Sequence, residues 1–97
     1  MKIIEERNKI IVEGKVRNKL ETQEIVSCIE RNKSHSFIEL YLKDSLAVLS
    51  DLLIYLVRVK DKDLHITLHV GNEKLFQFLR NSKLADGIQV RKIVNHS

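Results

Sequence analysis

The sequence predicts a single α/β domain over residues 1–97, with a mixed sheet in the order β-β-α-β-α-β-α-β and helices mainly on one face. Three observations lead there. Phe37–Lys43 (FIELYLK) and Leu64–Val70 (LHITLHV) alternate apolar and polar residues, as half-buried strands do. The segments before, between and after them carry helical spacing. KIIEE and KIIVE at the start are two β-branched runs parted by two residues.

Lys2–Glu6 and Lys9–Glu13, parted by Arg7-Asn8, read as a hairpin or a bent strand pair. Asn18-Lys19-Leu20-Glu21 then fits a capping box, in which Asn18 caps and Glu21 reaches back. Ile25, Cys28 and Ile29 form the inner stripe of the helix that follows, with Glu24, Glu30 and Arg31 outward and an end near Asn32-Lys33-Ser34. In the next strand Ile38, Leu40 and Leu42 share a face, and Glu39, Tyr41 and Lys43 the other.

Ala47–Val57 (AVLSDLLIYLV) is apolar at nine of eleven positions, and its apolar residues cover most of a helical circumference. A deeply buried helix is expected here. Local capping rules allow it to start at Asp44-Ser45 or at Ser50-Asp51. In LHITLHV, Leu64, Ile66, Leu68 and Val70 face inward, with His65, Thr67 and His69 on the more exposed face. Asn72 follows Gly71 as a helix cap, and Leu75, Phe76 and Leu79 form the third inner stripe. That helix stops near Asn81-Ser82 or continues to Asp86-Gly87. Ile88 and Val90 belong to a last short strand, with Gln89 and Arg91 outward. Alternation on both longer strands argues against helices on both faces, because a doubly covered strand is apolar throughout.

Composition narrows the function classes. Apolar residues make up 43% of the chain, enough for one core. The single Cys28 cannot form an internal disulfide, and an inert buried thiol is expected. The longest charge-free apolar run, Leu52–Val57, is far short of the ~20 residues that span a bilayer. The N-terminus lacks a long apolar run of the signal-peptide kind, so a cytoplasmic protein without membrane insertion is expected. Net charge is +4, with six basic against three acidic residues in 1–20 and five against two in 71–97. Basic ends permit weak nucleic-acid binding. No basic run exceeds two residues and no aromatic is interleaved with one, so nucleic acid is the lesser expectation.

No catalytic, cofactor or metal site is expected. His65 and His69 share a face of one strand, but at ~3.3 Å per residue they stand about 13 Å apart, too far to clasp one ion. No G-x-S-x-G, P-loop or G-x-G-x-x-G motif is present. What stands out is Ser50-Asp51, a hydroxyl beside a carboxylate inside an apolar run. Either it caps the buried helix, or it marks an exposed contact point at a strand's carboxyl end, where sites in open α/β sheets gather.

The ordered pieces over residues 9–93 resemble the STAS domain, the sulfate transporter and anti-sigma-factor antagonist family. IIVEGKVRNKLETQEIVSCIE resembles its strand, Gly-Arg-Leu-Asp-like turn and helix, with Gly14, Val16 and Asn18 near the matching places. FIELYLKDSLAVLSDLLIYLV resembles the next strand, its extended link and the Asp-Ser-Ser-Gly-like helix start, with Leu49-Ser50-Asp51-Leu52 over the motif. The resemblance implies a non-enzymatic interaction module. In the family, a Ser at that helix start is phosphorylated by a partner kinase, and the unmodified surface binds the partner. Here the motif's Asp is Leu49, its Gly is Leu52, one Ser is Asp51 and the turn's Asp is Asn18. Few residues remain after the last strand for the helix that the family places there.

A degenerate, non-switching bacterial regulator is therefore expected. Its implied partner is a protein, either an anti-sigma-factor or kinase-like protein or, as the alternative, a membrane-transport ATPase of which the chain is an accessory subunit. Asn18, Ser50, Asp51 and Asn72 are the expected partner-binding residues, with Leu46–Leu49 as an extended link and the helix beginning at Ser50.

Overall fold

The computed structural model describes residues 1–48, 50–60, 62–82 and 87–94. The elements run β1 (Lys2–Glu6), β2 (Lys9–Glu13), α1 (Lys19–Arg31), β3 (Phe37–Leu42), α2 (Ser50–Lys60), β4 (His65–Val70), α3 (Glu73–Asn81) and β5 (Gln89–Lys92). Among the described residues, five strands form one sheet in the order β1-β2-β3-β4-β5. The chain is thus an α/β domain with a mixed sheet, in the predicted order of elements.

β1 and β2 pair antiparallel across Arg7-Asn8, from Lys2↔Glu13 to Glu6↔Lys9. The two-residue connection puts Arg7 at φ +55°, in the left-handed region that reverses the chain between right-twisted strands. The other three pairs are parallel. A parallel neighbour needs a crossover, and α1, α2 and α3 supply one each. All three crossovers step the same way along the sheet, and a common right hand places them on one face.

Burial agrees with that placement. Ile10 and Val12, Ile38, Leu40 and Leu42, and Ile66, Leu68 and Val70 are buried in register across β2, β3 and β4. Against them lie Ile25, Cys28 and Ile29 of α1, Leu52, Leu53, Leu56 and Val59 of α2, and Leu75 and Leu79 of α3. The opposite face carries no described helix. It aligns Ile4, Ile11, Tyr41, His69 and Arg91 in one row across all five strands.

Several expectations need correction. α2 is less enclosed than its composition suggests, because Ile54 is 44% exposed and Tyr55 and Val57 are half-buried. One sheet face beneath a short helix cannot cover its whole circumference. Phe76 is half-buried rather than core, with the Arg80 guanidinium 5.6 Å from its ring centroid. His65 is exposed as expected, but the His69 side chain is only 13% exposed, since β4 lies inside the sheet and the ring stacks on Tyr41. α3 ends at Asn81, and an extension through residues 83–86 lies outside the described residues.

Where β3 and β4 end, their exits come close together. The Gly71 N–H donates to the Leu42 carbonyl at 3.1 Å. A Cβ added at Gly71 would overlap the Lys43 carbonyl oxygen and stand 3.1 Å from its carbonyl carbon. The obstacle is backbone and cannot rotate away. Gly71→Ala should therefore lower unfolding free energy by about 1–3 kcal/mol, read as a lower urea midpoint at unchanged slope.

Candidate protein-contact site at the carboxyl end of the sheet

β2, β3 and β4 are parallel, so their carboxyl ends lie at the same edge of the domain, and each leads into a helix. The turns after these strands form one surface. Asp44 ties two of them together, its Oδ2 accepting the Gly14 N–H at 2.8 Å. Ser45 is 1% exposed, and its Oγ accepts the Val16 N–H at 3.4 Å. The Asp44-Ser45 pair is thus a loop clamp, and it does not start the second helix. α2 begins at Ser50, while Leu46–Val48 is non-helical. This is the later of the two starts that local capping allows, and the one expected.

Ser50 and Asp51 consequently stand in the first turn of α2, inside the helix rather than capping it. The preceding position, Leu49, lies outside the described residues. Both residues are exposed, and Asp51 Oδ2 lies 3.7 Å from Lys19 Nζ at the start of α1. With side chains 58% and 78% exposed, this pair adds little stability.

Asn18 and Asn72 are caps. Asn18 Oδ1 accepts the Glu21 N–H at 3.0 Å, and Asn72 Oδ1 accepts the Leu75 N–H at 2.9 Å. The expected capping box is modified, because Glu21 Oε1 accepts from the Arg17 N–H at 2.8 Å, one residue before the cap. Each cap satisfies an otherwise orphaned helix donor, which leaves that oxygen less available to a partner.

The four predicted residues thus open three helices at one end of the sheet, and the Lys19–Asp51 contact joins two of those openings. Sequence reasoning missed the apolar groove beside them. Leu46, Ala47 and Val48 form one wall and Lys74, Leu75 and Phe78 the other, around about 360 Å³. Leu46 is 57% exposed and Phe78 59%. A signal was present in the sequence. Phe78 sits between Leu75 and Leu79 in EKLFQFLRN, at the rim of the inner stripe, where an aromatic has to be partly in water.

Two other clusters have less to offer. A cleft between β1 and α1 is lined by Ile3, Glu5, Glu24, Ser27, Cys28 and Arg31. Burial pushes the Cys28 thiol up to about 11, so it stays protonated and unreactive at neutral pH. On the open sheet face, Tyr41 and His69 stack with centroids 4.1 Å apart and planes 6° apart, and His69 Nε2 lies 3.3 Å from Glu39 Oε1. Among the described residues, no group of three His, Cys, Asp and Glu side chains could hold a metal ion.

Two outcomes can be measured. Asn72→Ala should cost about 1 kcal/mol of stability through loss of the cap, seen in urea unfolding. For His69, desolvation lowers the imidazole pKa, with Arg91 and Lys9 adding to the effect and Glu39 opposing it. A folded pKa below the unfolded one means that stability is full above the unfolded value, near 6.5, and is lost as pH falls through the folded value. An NMR titration of the His69 ring should have a midpoint below that of His in an unfolded peptide, and His69→Gln should flatten the stability profile below about pH 6.5.

No family model, no curated protein and no solved structure matches the chain.

Proposed function

We infer that the chain is a non-enzymatic protein-interaction module that presents the carboxyl end of its sheet to a protein partner, as a non-switching counterpart of the STAS-type anti-sigma-factor antagonists. The observation that carries this reading is the exposed apolar groove of Leu46, Val48, Leu75 and Phe78 lying at the same end as the exposed Ser50-Asp51. Large apolar side chains left in water beside helix openings lower their free energy when a partner covers them. The start of α2 at Ser50 supports the register of the resemblance. In that register Asp51 supplies a fixed negative charge at one of the motif's two Ser positions, and stands in for the phosphate if that position is the phosphorylated one. It carries one unit of charge against a phosphate's nearly two, and its geometry differs.

The test is one variant with two readouts. Asp51→Lys loses only an exposed ion pair and places a cation in the first turn of α2, so unfolding free energy should fall by less than about 1 kcal/mol. Affinity for the partner, identified by mass spectrometry of proteins retained from the native host, should fall at least about tenfold. Undiminished affinity would discard the reading.

A further inference from the structure

β1 is an edge strand, and its sequence is complementary to itself. The neighbouring pairs decide which of its backbone groups stay free. The Asn8 and Val12 carbonyls accept the Glu39 and Lys43 N–H groups, so alternate residues from Asn8 to Val12 turn toward β3. Lys9, Ile11 and Glu13 therefore turn toward β1, where Glu6, Ile4 and Lys2 lie opposite them. The N–H and C=O groups of Ile3 and Glu5 are left pointing away from the sheet, and among the described residues no strand lies beyond them. β1 has neither a Pro nor a bulge to block a further strand.

Two copies of KIIEE, antiparallel about a twofold axis at Ile4, fit in one register. Ile3 then lies opposite the second copy's Glu5, so the free backbone groups meet as hydrogen-bonded pairs. Lys2 lies opposite the second copy's Glu6, and by symmetry each join contains that pair twice. The charged rows of the open face alternate in sign across the join, because Lys43, Glu13 and Lys2 of one copy continue into Glu6, Lys9 and Glu39 of the other. Between those rows, Ile4 covers Ile4. On the helix-covered face Glu5 is already held by Arg31 at 2.7 Å, so the join buries no unpaired carboxylate. Beyond the strands, the Met1 ammonium is engaged by Glu21 at 3.6 Å, and Arg7 belongs to the turn.

Other pairings match less well. A slip of two residues one way sets Glu5 on Glu5, and the other way sets Lys2 on Ile4 and leaves Glu6 without a counter-charge. The other edge, β5, lacks the match. The Ile93 N–H donates to the Val70 carbonyl, so Val90 and Lys92 are its outward residues, and pairing them antiparallel sets Arg91 on Arg91.

We propose that β1 pairs antiparallel with β1 of a second copy of this chain, about a twofold axis at Ile4, and joins the two sheets into one. A five-residue strand gives a small contact, so the homodimer is weak and reversible. The join lies across the sheet from α3 and its groove, and it does not depend on the interaction reading above.

The test is sedimentation equilibrium of the full chain from about 5 to 500 μM, beside amide NMR spectra over the same range. A monomer–dimer equilibrium is expected, with the Ile3 and Glu5 amides shifting with concentration and those of Val90 and Lys92 unmoved. Lys2→Glu and Glu6→Lys each set like charges opposite one another, and each should weaken self-association at least about tenfold. Mixed together, these two variants should pair at least about fivefold more tightly than either does with itself, because each then meets its counter-charge. Both positions are exposed, so both variants should keep the circular dichroism of the unaltered chain. Glu5→Pro, which removes an outward N–H, should also weaken the dimer. A chain that stays monomeric throughout would overturn the proposal. So would a dimer indifferent to all three substitutions, or charge variants that stay apart when mixed. Species that grow beyond the dimer while Val90 and Lys92 shift would replace it with β1 meeting β5.

Discussion

Six consecutive residue pairs, from Phe37↔His65 to Leu42↔Val70, hold β3 parallel to β4 inside the sheet, and three of them bury apolar side chains on the helix-covered face. Ile38 with Ile66, Leu40 with Leu68, and Leu42 with Val70 build a floor on which all three helices rest. Because the side-chain period of a strand is two, sliding either strand by one residue would turn its apolar set into water. That register also fixes the strand ends. Leu42 and Val70 finish level, and Gly71 then passes so close to Lys43 that no side chain fits between them. The turns into α2 and α3 are thereby held side by side, and the groove between Leu46 and Phe78 is a consequence.

The same end of the domain shows how polar groups are divided between structure and surface. Asp44, Ser45, Asn18 and Asn72 spend their oxygens on backbone N–H groups that turns and helix starts would otherwise leave bare. Ser50 and Asp51, one helix over, do no comparable structural work, and both stay exposed. Polar residues with a structural partner and polar residues without one thus lie within a few positions of each other. Side-chain type does not separate them, since Asp44 and Asp51 share one chemistry. Their difference lies in what each faces: Asp44 has the Gly14 N–H, and Asp51 has a solvated Lys19.

The open face of the sheet follows another logic. Its row of Ile4, Ile11, Tyr41 and His69 is flanked by the charged rows of Glu6, Lys9 and Glu39 and of Lys2, Glu13 and Lys43. Strand spacing near 4.8 Å lets neighbours shelter one another, and the Tyr41–His69 stack withdraws the imidazole from water even though no helix covers it. Solvent exposure on such a face depends on position within the sheet. His65, the first residue of β4, stays wet, whereas His69, with paired neighbours on both sides, does not.

Periodicity by itself determined the order of the elements, the one-sided burial of β3 and β4 and the caps at Asn18 and Asn72, because each depends on residues within one turn or one strand of each other. The position of Ser50 and Asp51 at the start of α2 was open between two equally good local caps, and the resemblance of the whole segment favoured the later one. Tertiary structure decided the rest. Asp44 and Ser45 looked like a helix start until the turn after β2, some thirty residues away in sequence, was brought against them. Phe78 and Leu46 looked like ordinary apolar residues until the level ends of β3 and β4 set them on facing walls with no core left to fill. Local pattern shows which residues can cap or be buried, but which backbone N–H groups and apolar walls they meet depends on pairing between strands far apart in the chain.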